Sequence, residues 1–108
     1  MKKVAISAVF LLVSGALARA DGDFTGTWDT TYGPVTMIQK GKKVTGSYYD
    51  GKASLEGRVE GRKLTLNYQE PNEGGEAWFR LSEDGNSFVG KYKTAGSDQW
   101  IEWSGTRR

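Results

Sequence analysis

Tyrosine is the residue type in this chain whose placement most invites a chemical reading. Tyr32, Tyr48, Tyr68 and Tyr92 each fall at the C-terminal end of a short apolar run. A phenol combines an apolar ring wall with a hydroxyl that donates or accepts, so a group of them can orient a small hydrophobic or amphipathic molecule. The same rings can instead fill a narrow interior and bond to one another or to water. Thr30 and Gln39 are the other polar side chains in phase with them, and, once buried, each needs a hydrogen-bond partner from the protein, a water or a ligand.

Other chemistry is excluded by residue type. The 108 residues contain no His and no Cys, so neither a Ser-His-Asp nor a Cys-His arrangement can be built, nor a zinc site of the usual kind. The acidic loop EPNEGGE, 70–76, lacks the alternating acidic spacing of a calcium loop. The remaining acids fall in turns or out of phase with the apolar residues, where paired carboxylates would have no cleft to act in. The expectation is a protein that is not an enzyme and that carries no metal and no cofactor.

The elements that must position the tyrosines are strands. Apolar residues recur at period two, in eight runs at 24–32, 35–40, 43–49, 53–60, 63–68, 76–82, 87–93 and 100–106. Gly-, Asn- and Asp-rich connections such as KGKK, YDGK, EGRK and EDGN separate them, as hairpins require. The acidic loop is the longest connection and the one expected to move. Alternation puts Phe24, Trp28, Thr30 and Tyr32 of the first run on one face, with Val35, Met37 and Gln39 of the second. Val44, Tyr48, Leu55, Val59, Leu64, Leu66, Tyr68, Phe79, Leu81, Phe88, Tyr92, Ile101 and Trp103 continue that face. Trp78 and Trp100 alternate to the other one, among Thr, Glu, Lys and Arg.

One wet face and one apolar face, with no helices to cover the latter, force the sheet to curl on itself. Hairpin follows hairpin without a long crossover. The expected fold is therefore all-β, an antiparallel up-and-down eight-stranded meander closed into a small barrel. Odd strands then run the same way, and the four tyrosines gather at one end. A recurring apolar-x-Gly-x-aromatic pattern, FTGTW, VTGSY and FVGKY, fits this fold. Glycine in mid-strand permits bending and leaves room for a large neighbour.

The first twenty residues read as a cleaved secretory signal. Lys2 and Lys3 precede the apolar stretch Val4 to Val13, and small-residue sites follow, with cleavage after Ala20 favoured over Ala18. Residues 21–108 are then a single barrel domain, exported to the periplasm or secreted, with no stable membrane insertion. Cleavage would remove Lys2, Lys3 and Arg19, leaving 12 basic against 13 acidic residues. Nothing in that balance asks for nucleic acid.

The residues GTW, Gly26 to Trp28, with GTR, Gly105 to Arg107, resemble the calycin superfamily, which includes lipocalins, fatty-acid-binding proteins and avidins. In that group a G-x-W opens the barrel, and a basic residue of the last strand packs over the Trp at the closed end. The resemblance gives those roles to Trp28 and Arg107, with Arg108 as the other candidate. The stretches GTWDTTYG and VTGSYYD look closest to avidins over about 25 residues. The avidin biotin-binding Asn and Ser fall at Thr30 and Pro34, and only Tyr48 matches a binding residue. The resemblance therefore implies a calycin-like barrel and not biotin.

Together these readings lead us to expect a non-catalytic binding protein that takes a small hydrophobic or amphipathic ligand at a Tyr-lined barrel end. A protein partner is the alternative, as in a periplasmic hydrolase inhibitor that presents its loops, Lys40–Lys43 or Glu70–Glu76. A packed structural or envelope-stress barrel without a ligand is the third reading.

Overall fold

The computed structural model describes residues 22–108. The secretory signal expected over residues 1–20 and its cleavage sites lie outside the described residues. Strands β1 (Gly26–Thr30), β2 (Gly33–Lys40), β3 (Lys43–Tyr48), β4 (Ala53–Glu60), β5 (Lys63–Gln69), β6 (Gly74–Leu81) and β7 (Ser87–Thr94) follow one another. Two short pieces, β8 (Ile101–Glu102) and β9 (Gly105–Arg107), form one broken final stave. All pairings are antiparallel, between sequence neighbours from β1 to β7. Strand β9 pairs with both β7 and β1 and so closes the ring. The result is an all-β, eight-stranded up-and-down barrel, with no helix among the described residues.

Local chemistry explains the turns. Gly41 and Gly61 take φ of 62° and 63° at the first position of two-residue loops, the glycine position of a type II′ hairpin. Between β1 and β2 the connection is Thr31-Tyr32, followed by Gly33 at φ 97°. Negative φ at both loop residues and a left-handed glycine after them match a type I turn closed by a bulge.

Alternation governs burial. Phe24, Trp28, Val35, Met37, Val44, Val59, Leu64 and Phe79 are wholly buried and Tyr48, Leu55, Leu66, Tyr68, Leu81, Phe88 and Trp103 nearly so, whereas Thr30, Tyr32, Gln39 and Tyr92 are half-buried. Ile101 stays 41% exposed. It pairs with Tyr92 and therefore points inward by register, but it sits at the barrel's rim, above the filled interior. In-strand glycines mark where strands approach closely. A Cβ on Gly90 would lie 2.0 Å from the Trp78 carbonyl oxygen and 2.8 Å from the Phe79 ring. One on Gly105 would meet the Phe88 ring at 2.8 Å.

The two ends differ. The N-terminal segment, the turns after β2, β4 and β6, and the end of β9 share one end. There Arg107 stacks its guanidinium 4.3 Å from the centre of the Trp28 ring. Its N–H groups donate to the carbonyls of Asp23, Thr25 and Gly85. Trp28 donates its indole N–H to Phe24 O at 2.9 Å, and Gly22 N–H bonds Gly61 O at 2.7 Å. Arg108 instead pairs with Asp29 on the outside. That end is sealed, and the tyrosines lie at the other.

Candidate functional site

The open end is built around one indole. Trp103 is buried, and the rings of Tyr32, Tyr48, Tyr68, Tyr92 and Phe79 stand around it with centroids 5.1–6.1 Å away. Its N–H donates to Thr30 Oγ1 at 3.2 Å. That hydroxyl donates to Gly33 O and also accepts the Tyr32 backbone N–H. Thr30 thus ties the β1–β2 turn to the final stave, and its hydrogen-bonding capacity is spent within the protein. Gln39 lies at the sealed end, where its side-chain amide bonds Phe24 N, Gly22 O and Gly41 O. Neither residue joins the tyrosines at an open surface.

Above Trp103 lies a cup of about 90 Å³ lined by Tyr32, Tyr49, Tyr68, Glu70, Glu73, Tyr92 and Trp103. Three of the four tyrosines singled out in the sequence share it. The fourth, Tyr48, is buried beside it and donates its hydroxyl to Glu70 Oε2 at 3.0 Å. Ring planes in the cup cross at near right angles. Tyr32 and Tyr68 are each within 8° of perpendicular to both Tyr92 and Trp103, which are themselves at 83°. The planes of Tyr32 and Tyr68 must then be nearly parallel, and the four rings define three mutually perpendicular directions. Edge-to-face packing of this kind adds about 0.5–1.5 kcal/mol per pair beyond area burial.

Tyr49 enters the cup by a route that alternation does not show. It follows inward-facing Tyr48 and belongs by period two to the outer face. However, Tyr49, Asp50 and Gly51 all take left-handed φ, at 52°, 55° and 84°. That excursion turns the chain over the barrel end and brings the Tyr49 ring to 4.9 Å from Tyr48. A tyrosine in this conformation is strained by about 1–3 kcal/mol, a cost found preferentially at ligand-contacting positions.

Glu70 and Glu73 reach the rim because the acidic loop is short and tied. Strand β6 begins at Gly74, earlier than its apolar pattern suggests, which leaves 70–73 as the connection. Glu70 N–H bonds Glu73 O at 2.7 Å, and the Gln69 side chain bonds the carbonyls of both glutamates. The longest connection is thus not the acidic loop but 95–100, between β7 and β8. Cues to Glu70, Glu73 and Tyr49 in the sequence were the Y-Y-D-G doublet and the E-x-x-E spacing beside a tyrosine-ended strand.

Electrostatics follow from this geometry. Burial, then the hydrogen bond to Glu70, pushes the Tyr48 phenol well above its ordinary value of 10.0. Tyr92 is also pushed well up, first by its hydroxyl contact with Tyr32 at 3.5 Å and then by burial. Burial raises Tyr49 and Tyr68, and the nearby charges of Glu70 and Glu73 add to both. All four phenols are neutral donors near pH 7. Two larger depressions, of about 550 and 420 Å³, lie open on the outer face of the sheet. The first mixes Lys43 and Arg58 with Glu56 and Glu76, as a solvated sheet face does.

Trp78 and Trp100 take the outer face, as alternation indicates, each under a lysine: Lys63 Nζ at 5.2 Å and Lys93 Nζ at 5.1 Å. Scanned against protein families, curated proteins and solved structures, the chain matches none. Its architecture, an eight-stranded antiparallel barrel closed on itself, is compatible with a calycin-like fold.

Proposed function

We propose that this is an exported, non-catalytic binding protein, acting in the periplasm or outside the cell, whose tyrosine-lined barrel mouth takes one end of a small amphipathic ligand. The observation that carries the reading is the cup above Trp103, with aromatic walls and two carboxylates at an otherwise sealed barrel. Its size narrows the ligand. A volume of about 90 Å³ equals roughly three waters' share of liquid, well under the pocket of a drug-sized molecule. Only a head group or a single small ring enters; the rest of the ligand lies across the rim, where Tyr49 and Ile101 are exposed.

Tryptophan fluorescence tests this, because Trp103 forms the floor. Hexanol, hexanoate and hexylamine serve as probes of equal chain length. At least one quenches the wild type saturably, and Tyr92→Ala abolishes the quenching while the circular dichroism of the fold persists. Unsaturable or absent quenching with all three overturns the reading. A protein partner docking over the mouth is the second reading, favoured by the exposure of Tyr49, Trp100 and Ile101 around the rim. It predicts tolerance of Tyr92→Ala and sensitivity to Trp100→Ala.

A further inference from the structure

We infer that the head group selected by the mouth is an organic cation, an alkylammonium or quaternary ammonium ion seated among the rings below Glu70 and Glu73. The inference rests on the binding role of the cup and names its ligand class. The lining is the first ground: five aromatic residues and two carboxylates, with no lysine and no arginine among them. A ring face is the negative pole of an aromatic quadrupole, and a cation within about 6 Å of its centre is attracted to it. An anion meets repulsion from the faces and from both glutamates, with no cationic side chain in the lining to offset it.

The second ground is ring orientation. Tyr92, Trp103 and the parallel pair Tyr32 and Tyr68 present planes along three perpendicular directions. A flat guest matches one of these. A compact tetrahedral ion, such as a trimethylammonium group, can touch all three, and its size suits a cup of about 90 Å³.

The third ground is charge left over. Among the described residues the resolved ion pairs are Lys42–Glu60 and Arg108–Asp29, so neither Glu70 nor Glu73 is matched by a lysine or arginine. Glu70 is half-buried, and its Oε2 is held by the Tyr48 hydroxyl. Tyr48 is thus a positioning residue that fixes a carboxylate over an aromatic well. The negative field of these two acids extends to the Tyr49 and Tyr68 phenols, whose protons it helps retain.

Isothermal titration of the full folded barrel with choline, and with its neutral isostere 3,3-dimethylbutan-1-ol, tests the inference. Choline is expected to bind at least ten-fold more tightly than the alcohol. The Glu70→Gln, Glu73→Gln double variant should weaken choline about ten-fold, so that choline loses its preference over the alcohol, and should preserve the melting temperature. Gln keeps an acceptor for Tyr48, so the fold does not depend on the charge. Phosphatidylcholine vesicles form a third arm that separates a lipid head group from a free solute as the source of the same cation. Equal binding of choline and the alcohol overturns the cation while leaving an amphiphile-binding mouth intact. Failure of all three, in a protein that also ignores hexanol and hexanoate, overturns both.

Discussion

The phenols at the mouth carry most of the physical interest at the scale of single residues. Tyr48 and Tyr92 hold their protons more firmly than a free tyrosine, Tyr48 mainly through burial and Tyr92 mainly through Tyr32. Below about pH 10 folded and unfolded chains both keep these protons, so the phenols add no pH dependence. Above it the unfolded chain releases them while the folded chain retains them, and stability falls as pH rises. Urea denaturation between pH 8 and pH 11.5 should show this alkaline loss, and Tyr48→Phe should make it shallower. A Tyr48→Phe curve that falls as steeply as the wild type would show that the phenol is not desolvated. Tyr49 is the residue that sequence periodicity could not place. Its side chain reaches the cup only because three successive residues adopt left-handed φ, and backbone sign is invisible to a pattern of apolar and polar letters.

Strands were the most legible scale. Period two identified the buried face from Phe24 to Trp103, since a one-residue slip would have moved a whole strand's apolar set into water. Ile101 shows the limit of that logic: register aims it inward, yet the barrel interior ends beneath it. Likewise, β6 starts at Gly74 because the ladder to β5 continues through two glycines that carry no apolar signal. The recurring mid-strand glycines have a steric cause, and it can be measured. Gly90→Ala places a methyl against the Trp78 carbonyl and should cost about 3 kcal/mol by forcing β6 and β7 apart. Gly85→Ala, at a turn with open space but φ of 78°, should cost about 1 kcal/mol. Equal losses in thermal melts would show that the barrel does not depend on close approach at Gly90.

Over the whole molecule, the closing contacts gather at one sealed end and the aromatic cup at the other. With no cysteine in the chain, closure rests on Trp28 and on Arg107, whose guanidinium covers the indole and serves three carbonyls. Arg107→Ala should cost about 2–3 kcal/mol, because it removes the cation–π contact and leaves those carbonyls without a donor. Arg107→Lys should recover part of this, since an ammonium restores charge but not the planar fork. Neither change should alter ligand affinity at the mouth, some four strand residues away along each stave. Closure was readable from G-x-W and the terminal arginine. The gathering of Tyr32, Tyr68 and Tyr92 at one end was readable from strand direction. The share of Tyr49, Glu70 and Glu73 in the cup was not, because it comes from hairpin ends that only barrel closure brings together.

Ligand entry at the Trp103 end, as proposed, would be reported directly by the indole N–H resonances. Four tryptophans give four indole signals, among them Trp103 bonded to Thr30 in the cup and Trp28 bonded to Phe24 at the sealed end. Titration with hexylamine, followed by two-dimensional ¹H–¹⁵N NMR, should shift the Trp103 indole progressively and leave Trp28 in place. A Trp103 signal that never moves, or a shift at Trp28 in its stead, would show that the ligand does not enter at the mouth.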